Sequence, residues 1–206
     1  MISWLRWPRL RPGGAVLALA LLLPGPATLA APAASYHIDQ RYGAIGFSIG
    51  ELGLFTTEGN FRKFAGHLVI DPADPTRTKI SVTIDVGSVA MSSTRAVKLI
   101  LSPAYFDVQQ HPAIRFRSTT VAPIGRHRYL VSGLIRMRGV THPQQFIAVL
   151  TAGEVSGTAP VTGWFTVTGT LHRSLFGMTA NENFLGDVVR IVIHIHLTLP
   201  EHARAN

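Results

Sequence analysis

The stretch FDVQQHPAIRFRSTTV, residues 106–121, decides how this chain is to be read. It opens on a polar, turn-forming segment and then settles into a two-residue beat. Ile114, Phe116 and Ser118 fall on one side of an extended chain, and Arg115, Arg117 and Thr119 fall on the other. Side chains alternate across a strand, so this pattern predicts a half-buried strand. The arginines belong to its wet face, where long stems cover apolar surface while the charge stays in water. What the apolar face is turned toward sets the function.

The same period continues in both directions. AIGFSIG (44–50), HLVI (67–70) and KISVTIDV (79–86) precede it, and RYLVSGLIRM (128–137), QQFIAVLTA (144–152), GWFTVTGTL (163–171) and VVRIVIHIHLTL (188–199) follow. Turn chemistry separates them: TTEGN, DPADPT, APIGRHR, RGVTHP and NENFLGD. The exception is residues 93–107, STRAVKLILSPAYFD, where Ala96, Leu99 and Ile100 take a helical spacing ahead of Pro103 and predict a short helix or a pair of turns. Regularly spaced strands with one apolar face make an antiparallel sandwich or barrel, an all-β fold either way. Periodicity does not separate the two. The barrel is favoured because nearly every strand carries medium or large apolar residues inward, and about eight strands is the number at which a closed barrel can hold one small ligand.

Composition narrows the function classes. Residues 1–34 join Arg6, Arg9 and Arg11 to a short apolar run and then to the small residues of ATLAAPAA, the three-part layout of a secretory signal peptide. The run is broken by Pro24 and Pro26 before it reaches the roughly 20 residues of a comfortable membrane span; the alternative is a retained anchor. The expected organisation is therefore a signal peptide at 1–34, one domain at 35–200 and a tail at 201–206, with no stable membrane span after cleavage. The formal charge of +8 falls to +5 once the three leader arginines are subtracted, and the remaining bases are scattered singly among strands. Nucleic-acid binders cluster theirs, so nucleic acid is not an expected partner. The chain has no cysteine, so stability has to come from a core.

The segments YHIDQRYGAIGFSI, GNFRKFAGHLVIDP, IDVGSVAMSSTR, YFDVQQHPAIRFRST, SGLIRMRGVTHP and LHRSLFGM with GDVVRIVI resemble, in order and spacing, the YceI-like family of exported lipid-binding proteins, from about Tyr36 to Leu199. The resemblance implies an extended, lipocalin-like antiparallel barrel whose lumen takes a long polyisoprenoid, or in some members a fatty acid or its amide, and a location in the bacterial periplasm. The chain departs from the family pattern at Tyr42-Gly43, at Glu51 and at Ala96, where members commonly carry His-Ser, a nearby His and Asp.

The expected ligand-binding set follows. Phe47, Ile49, Ile84, Val86, Ile114, Phe116, Phe165, Val167, Ile191 and Ile193 would line a tunnel, although alternating apolar residues also make an ordinary core. Tyr105, Phe106 and Phe176 lie within the matched motifs. Arg95 and Arg173 match recurring family arginines, and an arginine can clamp a phosphate or carboxylate through two parallel hydrogen bonds, the alternative being a structural role. His194 and His196 project to one face, but no Glu, Asp or His is placed by sequence to complete a metal site, so neither metal nor cofactor is expected. There is no cysteine, no G-x-S-x-G and no H-E-x-x-H, so the reading is a non-catalytic binder, with a lipid-acting hydrolase or isomerase as the alternative. The expected partner is a long-chain isoprenoid or other amphiphilic lipid, and a homodimer is left open.

Overall fold

The β-branched and aromatic alternation is realised as eleven antiparallel strand segments and one α-helix in the computed structural model, which describes residues 32–198. Residues 1–31 of the expected signal peptide and the whole expected tail lie outside those residues, whereas 32–34 are described and β1 begins at Ala34, one residue before the expected domain start. The segments are β1 (Ala34–Asp39), β2 (Gly43–Glu51), β3 (Phe55–Phe61), β4 (Phe64–Ile70), β5 (Lys79–Asp85), β6 (Val89–Met91), α1 (Thr94–Leu101), β7 (Ala113–Gly125), β8 (Arg128–Met137), β9 (Val140–Glu154), β10 (Thr162–His172) and β11 (Leu185–Leu197). Among the described residues no helix is long and apolar enough to cross a membrane.

β7 takes up the periodic part of the opening stretch, from Ala113 to Val121. Ile114 is buried and Arg115 and Arg117 are exposed, as the beat requires. Thr119 and Thr120 are then both exposed, because a register shift against β8 between Ser118 and Thr120 inserts one residue and returns Val121 to the inside. α1 forms where the helical spacing places it. The Ser93 hydroxyl caps it by accepting from the Ala96 N–H at 3.5 Å, and the helix ends before Pro103.

One expected turn is corrected. TTEGN lies within β3, where its threonines suit a strand, and the chain instead reverses at Leu52 and Gly53, both in the left-handed region with φ of 50° and 70°. The periodic reading also passed over β1 and the three-residue β6.

The hydrogen-bonded order is β1-β4-β5-β7-β8-β9-β10-β11-β2-β3-β6. Its two ends are joined through the chain. β3 turns into β4 at Arg62-Lys63, β5 turns into β6 at Val86–Ser88, and β4 pairs with β5 while β3 pairs with β6. Hydrogen bonds bridge the corner: Arg62 N–H to the Ser88 carbonyl at 3.1 Å and Asp85 N–H to the Lys63 carbonyl at 3.0 Å. The four segments are therefore one bent two-stranded ribbon, pairing with β2 through β3 and with β7 through β5. Counting each bent strand once and setting β1 aside reduces the eleven segments to eight strand paths around a lumen. The sheet curls into a lipocalin-like all-β fold, and β1 flanks it on β4.

Candidate functional site

The wall of this curl is one residue thick, so its inward side chains are both core and lining. They surround a cavity of about 710 Å³. Ligand pockets commonly run from about 300 to 1,000 Å³. Of the expected set, Phe47, Ile49, Ile84, Tyr105, Phe106, Ile114, Phe116, Phe165, Val167, Arg173, Ile191 and Ile193 line it. Val86 and Phe176 do not: they are 1% and 2% exposed and are packed within the same hydrophobic cluster as Phe64 and Val89, whose members Phe61 and Met178 reach the lining. Arg95 does not line it either; it stands exposed on α1, whose Ala96, Leu99 and Ile100 form part of the wall. The sequence reading missed Val82, Val121, Val131 and Ile135, which follow the same inward beat, and Leu52 and Phe184, which come from loops.

Phenylalanines could have filled this space. Three of them instead lie against the wall, over glycines at inward positions of neighbouring strands. A Cβ at Gly59 would collide with the Phe47 ring, one at Gly133 with Phe116 and one at Gly169 with Phe146. Phe116 and Phe146 meet edge to face at 5.3 Å between centroids. Each glycine gives up packing of its own and lets an aromatic ring lie flat, which keeps the middle of the lumen open.

Polar groups gather at one end, where the β2–β3 turn, α1 and the loop before β11 meet. Arg173, in the 3₁₀ turn Arg173–Phe176, is 3% exposed. Its Nε donates to the Gly186 carbonyl at 2.9 Å, one terminal nitrogen to Met178 and Ala180 at 2.5 and 2.8 Å, and the other to Leu185 at 2.9 Å. No carboxylate stands within ion-pair distance of it among the described residues. This guanidinium brackets the loop at 178–186 and leaves its positive charge at that end of the cavity. Glu51 lines the same end and accepts from the Thr57 hydroxyl. Asn181 Nδ2 donates to the Tyr105 hydroxyl at 2.9 Å. Of the departures from the family pattern, Glu51 and Ala96 therefore share this mouth, whereas Tyr42 sits in the β1–β2 turn outside the lining, its carbonyl accepting from His196 N–H.

At the far end the polar groups are held by bonds of their own. The Asp71 carboxylate lines it while accepting from Ala73 and Asp74 N–H groups and pairing with Arg77 at 3.5 Å. Tyr129 lines it too, and burial pushes its hydroxyl pKa up.

Outside the lumen, His172, Asp187, Ser174, His194 and His196 are held by their neighbours. His172 Nδ1 meets Asp187 at 2.7 Å, and the same carboxylate accepts from the Ser174 N–H at 2.9 Å and from its hydroxyl. Burial works to raise the Asp187 pKa, but these bonds outweigh it and leave it below the usual carboxylate range. The serine is seated on the carboxylate, not on the imidazole, so this is not the order of a nucleophile–base–acid relay. His194 meets the Thr166 hydroxyl at 3.3 Å, and His196 stacks on Trp164 at 4.4 Å.

A curled antiparallel wall around an apolar lumen defines the lipocalin-like class of barrels. Within it, the profile of the YceI-like domain matches residues 36–197, and the chain belongs to the YceI-like family. It is 32% identical over 185 residues to a UPF0312 protein of Ectopseudomonas mendocina (strain ymp), covering 86% of this chain and 95% of that protein. Among solved structures it is similar to Burkholderia cenocepacia BcnA, with a TM-score of 0.70 at 22% identity over 78% of this chain and 99% of that one. It is also similar to a polyisoprenoid binding domain from Saccharophagus degradans implicated in plant cell wall breakdown, with a TM-score of 0.55 at 12% identity over 81% of this chain and all of that one.

Proposed function

We propose that this protein is an exported, periplasmic lipid-binding protein that sequesters or carries a long-chain polyisoprenoid in its lumen, without catalysis. The observation that carries the reading is the cavity itself: about 710 Å³ of space walled by Val, Ile, Leu and Phe side chains from strands all round the curl. Burial contributes about 0.8 kcal/mol per methylene, so one five-carbon unit adds roughly 3 to 4 kcal/mol before ordering costs, and a few units suffice. Such a site selects by length and width and needs few directed polar contacts. The polyisoprenoid binding described for the Saccharophagus domain supports the choice of guest. The unpaired charge of Arg173 favours an anionic or strongly polar head at the mouth. The leader-like sequence of residues 1–34 supports export.

Extraction of the purified protein with organic solvent, followed by mass spectrometry, tests this. A stoichiometric, unmodified long-chain isoprenoid is expected, and a fatty acid or amide in its place would reassign the guest. Titration of stripped protein with that lipid is expected to show a negative heat-capacity change. No retained lipid together with no heat-capacity change for any long-chain lipid would overturn the reading, and turnover of added lipid would replace it with an enzyme.

A further inference from the structure

A guest that avoids water needs an entrance it can reach without crossing water. At the mouth that holds Arg173, Leu52, Leu99 and Phe184 line the cavity and are at the same time 59%, 47% and 63% exposed. The Leu52 N–H donates to the Phe184 carbonyl at 2.9 Å, which ties the β2–β3 turn to the loop before β11. Beside them Leu54 and Phe55 stand 81% and 66% exposed, outside the cavity lining, pushed outward by the left-handed turn at Leu52-Gly53. A single exposed leucine is ordinary. Five large apolar side chains prolonging the wall of an apolar cavity form a collar, and contiguous patches of this kind mark contact surfaces.

We propose that this collar docks on a lipid bilayer, with Leu54 and Phe55 entering the interface, so that the guest moves between bilayer and lumen under continuous apolar cover. The inference rests on the reading that the lumen holds a long-chain lipid, because such a guest is drawn from a bilayer and the collar is continuous with the surface that receives it. Charge adds little. On the outer surface of this end Arg95 and Lys98 on α1 are balanced by Glu51 and Glu182. The charge of Arg173, which is 3% exposed and held by four carbonyls, faces the cavity end and not the collar, so the collar itself offers little net attraction to anionic head groups. Docking is therefore apolar and nearly indifferent to head-group charge and salt.

Flotation of the purified protein with vesicles of phosphatidylcholine, alone or with about a quarter phosphatidylglycerol, tests the proposal. The protein is expected to float with both, and to do so still at roughly 0.5 M salt, where surface charges are screened. The double variant L54S/F55S should lose at least about tenfold in vesicle partition, since each side chain gives up an apolar contact. It should keep its affinity for a long-chain isoprenoid in a vesicle-free titration, because neither residue lines the cavity. The proposal is overturned if the wild type stays unbound to both vesicles, if the double variant floats equally well, or if only anionic vesicles at low salt are bound. A wild-type dimer that the double variant dissolves, without flotation, would assign the collar to a second copy and overturn it as well. Failure of the lipid titration in the wild type would sink the cavity reading separately, since flotation reads the collar alone.

Discussion

Arg173 has the chemistry of a head-group clamp and the surroundings of a structural bracket. Four carbonyl oxygens between Met178 and Gly186 converge on it, and they have no other cation to meet in that loop. Removing the guanidinium by Arg173→Met would leave buried carbonyls unsatisfied at about 1 to 3 kcal/mol each, so a loss of at least about 3 kcal/mol is expected in lipid-free protein by urea denaturation. Unchanged stability would show that the bracket does not hold the loop. The sequence offered no way to choose between the two roles, because the carbonyls that receive Arg173 belong to main chain and leave no trace in residue identity. Arg115 and Arg117 were legible because the beat of their own strand fixes their side of the sheet.

At the scale of the element, strands were easy to read and their ends were not. The hydrophobic beat of β7 survives a register shift at Ser118–Thr120 that no residue type announces. Thr56 and Thr57, read as part of a turn because Gly59 and Asn60 follow, are strand residues of β3. Gly59 is there for a reason that only the neighbouring strand reveals. It faces Phe47 across the β2–β3 pair, and Gly59→Ala would drive a methyl into that ring and against Met91. The contacts are with side chains alone, so the ring can yield into the lumen at a modest cost of about 1 to 3 kcal/mol. Isothermal titration should then show weaker binding of a long-chain isoprenoid with the fold intact by circular dichroism. An unchanged affinity would mean that Phe47 does not set the width of the bore.

For the whole molecule, the number of strand paths was foreseeable and the way they join was not. About eight is what the periodic runs give, and eight remains once the bent ribbon is recognised; the corner at Arg62-Lys63 is made by hydrogen bonds between segments some 25 residues apart, as Lys63 N–H to Ser88 Oγ shows. Val86 and Phe176 fall outside the lumen because they are packed almost wholly among the other buried side chains of the cluster, leaving no face for the cavity. A molecule with an open centre and no cysteine forgoes both dense packing and staples, so its guest should count toward its stability. At lipid concentrations near a hundred times the dissociation constant, binding contributes about 2.7 kcal/mol. Calorimetry should therefore show lipid-loaded protein melting several degrees above stripped protein. Equal melting temperatures at saturation would mean that the lipid is held outside the cooperative fold.

The alternation along β7 sets Arg115 and Arg117 outside while Ile114 and Phe116 face in. The two faces of each strand thus answer to different demands, one to whatever surrounds the protein and the other to the molecule it encloses, even where a register shift swaps odd for even. Relatives can redecorate their exteriors freely while conserving the calibre within, or retune that calibre without altering how the surface meets the world.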